Sequence, residues 1–149
     1  MYTVNNLKKL RQLTGISFSL CKKALEQSNN DPDKAKKLLE KWGAEISTGK
    51  TGRTTNQGSI FNYLHHNKKI GTLLELLCET DFVAKNSDFQ MLGQELVMQI
   101  ASMNPKNVKE LLSQTYVKDS SKTVDNLIKE YILKIGENIK IGKFVRYEI

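Results

Sequence analysis

Ile60-Phe61-Asn62-Tyr63-Leu64-His65-His66-Asn67-Lys68-Lys69-Ile70-Gly71-Thr72-Leu73-Leu74-Glu75-Leu76-Leu77-Cys78 is the stretch on which the fold class turns. Two apolar runs, Ile60–Leu64 and Ile70–Cys78, flank a polar segment over His65–Lys69. That is the pattern of two strands joined by a hairpin loop. Leu73-Leu74-Glu75-Leu76-Leu77 has the composition of a helix, but its short length and hairpin setting make it a strand. Adjacent histidines on a strand point to opposite faces. No carboxylate or cysteine cluster accompanies His65-His66, so a solvated turn is the better reading and no metal is expected.

Downstream of the hairpin the period changes from two to 3.6. Ser87 opens an amphipathic helix with Phe89, Leu92, Leu96, Val97 and Ile100 on one face. Asn104-Pro105 breaks it and caps a shorter helix through Leu112. Val124, Leu127, Ile128, Tyr131, Ile132 and Ile135 mark a further helix, stopped by Gly136. From Ile139 to Ile149 the alternation of Val145, Tyr147 and Ile149 predicts another strand.

Upstream, residues 43–58 are rich in Gly, Ser, Thr, Lys and Asn, with Ile46 the one large apolar residue. This reads as a linker into which the preceding helix continues for a turn. Before it lie three short helices. The first runs from Val4 to Leu13, with Val4, Leu7 and Leu10 on one face, and Thr14-Gly15 ends it. Ser17 caps the second, whose apolar positions are Phe18, Cys21, Ala24 and Leu25. Asp31 and Pro32 suit the N-cap and first position of the third, which buries Ala35, Leu38, Leu39 and Trp42. The expected fold is therefore α+β. Residues 1–45 form a three-helix module that resembles a UBA-like domain, 46–58 a linker, and 59–149 a core with a mainly antiparallel three-stranded sheet packed with helices.

Composition narrows the function classes. The chain has 149 residues, 39% hydrophobic and 26% charged, values of a folded globular protein. No apolar run approaches the roughly 20 residues that cross a bilayer, and the N-terminus lacks the pattern of a signal peptide. No membrane association is expected. Cys21 and Cys78 lie far apart in apolar surroundings and read as reduced core thiols. The formal net charge is +7. It suits an acidic partner, but the lysines are dispersed without an arginine block, which favours an acidic protein surface over nucleic acid. No Ser/His/Asp or Cys/His constellation is evident. Gly49-Lys50-Thr51 imitates the end of a phosphate-binding loop but lacks the first glycine and the strand–helix setting. Neither an enzyme nor a cofactor is expected.

The segment with chemistry of its own is Cys78-Glu79-Thr80-Asp81-Phe82-Val83-Ala84-Lys85-Asn86. A strand ends and an Asp-Phe pair follows where a loop is normally polar. Either Phe82 folds back as a core plug and Asp81 caps the next turn, or Phe82 stands exposed on a rigid strand-to-helix turn. An exposed aromatic there can enter a partner's pocket, and such residues dominate interface energies.

Family resemblance bears on that choice. Thr80-Asp81-Phe82-Val83-Ala84 resembles the signature of elongation factor Ts. Leu10-Arg11, Thr14-Gly15 and Cys21-Lys22-Lys23-Ala24-Leu25 are similar to the family's N-terminal signature, continued by Asn30-Asp31, Ala35, Leu38 and Trp42-Gly43-Ala44. Lys50, Gly52-Arg53 and Gly58 match its linker, and Lys134-Ile135-Gly136-Glu137-Asn138-Ile139 its later core motif. The order and spacing hold over nearly the whole chain. The resemblance implies a guanine nucleotide exchange factor that binds the GTPase domain of elongation factor Tu. It makes Thr80, Asp81, Phe82 and Val83 an exchange loop that dislocates the magnesium and phosphate groups of the partner. Lys22, Arg11, Ile135 and Gly136 become further contacts. It implies no direct nucleic-acid binding, and a location in bacterial cytoplasm or an organelle stroma or matrix. Longer relatives carry a second core subdomain, and this chain resembles the short form. An open sheet edge left by that difference suits pairing with a second copy, as a homodimer. Phe18 and Ser19 stand where relatives often have Met. The competing reading is a UBA-type adaptor without exchange activity, which needs Phe82 to be core.

Overall fold

The computed structural model describes residues 1–149. In chain order the elements are α1 (Val4–Thr14), α2 (Phe18–Gln27), α3 (Pro32–Lys50), β1 (Gln57–Leu64), β2 (Ile70–Cys78), α4 (Asp81–Ala84), α5 (Ser87–Met103), α6 (Val108–Ser113), α7 (Val124–Ile135) and β3 (Ile139–Glu148). The hairpin forms as its alternation predicts. β1 and β2 pair antiparallel from Gln57 opposite Cys78 to Leu64 opposite Gly71. His65 N donates to Ile70 O at 2.9 Å, and Lys68 N to His65 O at 2.8 Å. The other side of β2 pairs antiparallel with β3, so the order is β1-β2-β3. Thr72, Leu74, Leu76 and Cys78 are buried, every second residue of β2. That period of two is why the leucine-rich run is strand: a helix would scatter those side chains around its axis.

One face of the sheet is covered. Phe89, Leu92, Leu96, Val97 and Ile100 of α5 are all fully buried and join Phe61, Leu74, Leu76, Val124, Ile128 and Ile132 in the main core. Gly93 allows the close approach: a Cβ there would lie 2.3 Å from the Phe61 ring. The other face stays open, with Ile60, Leu73 and Val145 exposed. The alternation of Val145, Tyr147 and Ile149 has the right period and points outward, while Phe144 packs against the core.

The first three helices are capped as their sequences require. Thr3, Ser17 and Asp31 side chains accept from Asn6 N, Leu20 N and Asp33 N. Gly15 ends α1 at φ 66°, a left-handed conformation that suits glycine. Leu7, Leu10, Ile16, Cys21, Ala24, Leu25, Ala35 and Leu39 make a second core, and Leu133 of α7 belongs to it. Gly43 sits where a Cβ would be 3.3 Å from Leu133 Cδ2. The helical module is thus seated directly on α7.

Three expectations need correction. Residues 46–50, assigned to the linker by composition, continue α3 to Lys50. Gly43 and Ser47 are buried along the side facing α7, so tertiary packing overrides the weak helix propensity of Ser47-Thr48-Gly49. Thr48 Oγ1 also donates back to Ala44 O at 2.9 Å. The connection to β1 therefore shrinks to residues 51–56. Asn104 does not cap α6; it ends α5 in the left-handed region at φ 47°, and Asn107 is the N-cap, accepting from Glu110 N. Phe18, expected on the buried face of α2, is 50% exposed at that helix's first position.

Gly93→Ala is expected to lower the unfolding free energy by about 1–3 kcal/mol through overpacking against Phe61. Gly49→Ala, which meets nothing within 4 Å, is expected to leave it unchanged or raise it by up to about 0.5 kcal/mol. Urea denaturation of both variants checks the pair.

Candidate functional site

β2 ends at Cys78, and two residues later the chain turns into α4, a single helical turn. Thr80 is its N-cap, with extended backbone (φ −127°, ψ 154°) and Oγ1 accepting from Val83 N at 3.3 Å. Ala84 N donates to Thr80 O at 3.2 Å, and Asn86 N to Val83 O at 2.9 Å. Asn86 then caps α5 by accepting from Asp88 N at 2.8 Å. The turn is therefore held at both ends. Its inner side is anchored because Ala84 is buried and its carbonyl accepts from Gln90 Nε2 at 2.7 Å and Ser59 Oγ at 3.4 Å.

Its outer side is bare. Phe82 is 88% exposed, the opposite of a core plug and the opposite of what the adaptor reading needs. Asp81 is exposed beside it, paired with Lys85 at 3.0 Å one helical turn on. Val83 is half-buried against the main core. A large aromatic ring held in water by a pinned turn is preorganised: little conformational freedom remains to be lost on docking.

Gly136 ends α7 at φ 89° and turns the chain toward β3. This brings Ile135 and Gly136 next to the base of α4, because Glu137 hydrogen-bonds Thr80. Lys50 Nζ donates to Gly136 O at 2.8 Å, so the end of α3 closes on the same corner. That places Gly49-Lys50-Thr51 at a helix C-terminus, not in a phosphate-binding loop. Lys134 lies along Gly15 and pairs with Asp88 at 3.4 Å, linking the α1–α2 loop, α7 and the start of α5. Leu13 (64% exposed) and Phe18 flank that loop; Phe18 stands at a position where relatives often have Met, while Leu13 has no role in the sequence reading, although a leucine left off the Val4-Leu7-Leu10 face is a signal. Lys22 and Arg11 belong to the helical module, and no hydrogen bond or ion pair joins their side chains to α4. Lys22 Nζ instead lies 5.5 Å from the Tyr2 ring centroid.

Both cysteines are free and buried. Burial pushes the Cys78 thiol up, reinforced by the negative charge of Glu137, and burial likewise raises Cys21. No cluster of three or more His, Cys, Asp or Glu side chains is arranged to hold a metal.

Comparison with known proteins places these elements in context. A family model described as elongation factor Ts matches residues 79–149, and a model of the N-terminal part of mitochondrial elongation factor Ts matches residues 2–45. The chain is 39% identical to elongation factor Ts of Thermotoga maritima, covering 96% of this chain and 94% of the relative. It is 37% identical to that of Petrotoga mobilis (99% and 98%) and 36% identical to that of Thermosipho melanesiensis (100% and 99%). The Thermotoga alignment spans 186 residues, more than the chain's own 149, so that relative carries internal residues with no counterpart here.

Because its ring makes so little contact with the protein, Phe82→Ala is expected to change folding stability by less than about 0.5 kcal/mol. A denaturant midpoint clearly below wild type would show that the ring packs instead.

Proposed function

The chain belongs to the elongation factor Ts family, a family of translation elongation factors, and from that membership we propose that it is the guanine nucleotide exchange factor for elongation factor Tu. The observation that carries the reading is the exposure of Phe82 on a turn whose base is fixed. The Asp81-Phe82 tip enters between helices of the GTPase domain, with Thr80 and Val83 forming the turn that presents it. Bound GDP is held largely by charge, through magnesium and the backbone amides of the phosphate-binding loop. A wedge that shifts those groups removes much of that hold. Ile135 and Gly136, brought beside the tip, support the contact. Lys22 and Arg11 extend it from the helical module, and the net charge of +7 suits an acidic partner surface.

No covalent bond is made or broken, so the protein acts as a binding catalyst of exchange and not as an enzyme in the usual sense. It binds the nucleotide-free partner best, and by reciprocity GDP or GTP weakens its hold. The proposed setting is the cytoplasm of a bacterium or the interior of an organelle; no helix is long and apolar enough to cross a membrane. A second copy of the chain is a further proposed partner. β3 is a sheet edge, and Ile60, Leu73 and Val145 leave the adjoining face apolar.

Release of a fluorescent GDP analogue from elongation factor Tu tests the exchange reading. Wild type is expected to accelerate release strongly. Phe82→Ala is expected to lose about 2 kcal/mol of that effect, roughly thirtyfold, and Asp81→Ala to lose part of it. No acceleration by the folded wild type would remove the reading. Sedimentation velocity tests the second-copy proposal: a dimer is expected, with Leu73→Lys shifting it to monomer, and a wild-type monomer at high micromolar concentration would end it.

A further inference from the structure

We infer that Glu137 is a positioning residue for the exchange tip: its carboxylate orients Thr80 and thereby fixes the direction in which Phe82 is presented. The inference rests on the exchange reading and adds to it a residue that does not itself face the partner.

β2 has its last ladder pair at Cys78. Beyond it, the N–H groups of Glu79 and Thr80 have neither a strand nor a helix to bond. Glu137 Oε1 accepts both, at 3.1 Å and 3.0 Å. Its other oxygen, Oε2, accepts from Thr80 Oγ1 at 2.7 Å. That third bond has a directional effect. A hydroxyl has one proton and two lone pairs. With its proton given to Glu137, Thr80 Oγ1 must act as acceptor toward the helix, and it accepts from Val83 N. One carboxylate thus sets the backbone at the entrance of the turn and the hydroxyl that caps it at Val83 N, around Asp81 and Phe82. Hydrogen bonds to an ionised acceptor are roughly twice as strong as neutral ones, so the clamp is stiff for its size.

Glu137 is itself held in place. It lies between Gly136, whose carbonyl is tied to Lys50, and Asn138, which is buried. Asn138 N donates to Glu79 Oε2 at 3.2 Å, and Asn138 Nδ2 to Arg53 O at 3.1 Å. Arg53 Nη1 lies 3.5 Å from Glu79 Oε2, pairing the same carboxylate oxygen that accepts from Asn138 N. Glu79 and Glu137 therefore each bond the other's segment, and the tip and the α7–β3 connection are locked reciprocally. A wedge acts only while its base does not yield, and small misplacements of a working group cost large factors in rate.

The test compares Glu137→Ala and Glu137→Gln in the full chain, each alone and combined with Phe82→Ala. Amide hydrogen exchange of Glu137→Ala is expected to quicken over residues 79–84 and remain at wild-type levels in α5. Its maximal acceleration of GDP release is expected to fall about tenfold. In the Phe82→Ala background the further fall is expected to be less than about twofold, because the group that Glu137 positions is already gone. Glu137→Gln keeps a neutral acceptor for the two backbone N–H groups and is expected to fall between. An equal loss with and without Phe82 would overturn the inference, as would wild-type release by Glu137→Ala or a quickening of exchange throughout the core. If wild type itself does not accelerate release, the exchange reading fails first, and the hydrogen-exchange arm still decides whether Glu137 holds the turn.

Discussion

Strand β2 is hydrogen-bonded on both sides, and the rest of the molecule depends on its register. Its inward residues Thr72, Leu74, Leu76 and Cys78 seal the core, and Thr72 Oγ1 donates to the carbonyl of Val97 on α5 at 3.1 Å. A slip of one residue would turn all four outward and bury Leu73, Glu75 and Leu77 in their place. Because the register is fixed at the core end, the last residues of the strand are fixed as well. Thr80 follows two residues after Cys78, so the position of the exposed ring is inherited from the sheet rather than set by a free loop.

The second constraint is the seam between the helical module and α7. Leu133 lies in the module's apolar core, and Gly43 lets the two helices close on it. Lys50 Nζ adds a polar tie to Gly136 O at the end of α7, and the Lys134 side chain lies along Gly15 of the module. The module and the sheet-bearing core are therefore not independent beads on a string. The α1–α2 loop and the α4 turn are thus carried on one continuous body.

The parts of this arrangement legible in the sequence are those written in local pattern. The hairpin shows as two apolar runs around a polar loop, α5 and α7 as 3.6-residue stripes, and the caps as Asp31-Pro32, Gly15 and Gly136. The exposed tip shows as an anomaly, an aromatic where a loop should be polar. The failures have two causes: a deciding partner distant in sequence, for the end of α3 and the Glu137 clamp, and local geometry that composition does not show, for the α6 cap and Phe18. The last turn of α3 is helical because of α7, against the propensity of its own residues. Asn104 and Asn107 are equally good caps on paper, and Pro105 draws the eye to the wrong one. Phe18 looked buried because it is apolar, although the first position of α2 faces water. The Glu137 clamp reaches across 57 and 58 positions to Thr80 and Glu79, and nothing near Glu137 announces its acceptors' donors.

The membership of Leu133 in the core of the first three helices sets an order of assembly. A chain emerges from the ribosome N-terminus first, and its early segments begin to fold before the later ones exist. Here the first helices can collapse around Leu10, Leu25 and Leu39, but the surface that Leu133 will cover stays open until most of the chain has been made. β3, the last element, must then find β2 across sixty intervening residues, a slow long-range pairing. The finished packing of the first-made part therefore waits on the last-made part, and a nascent chain stalled before α7 presents an apolar surface that the complete protein hides.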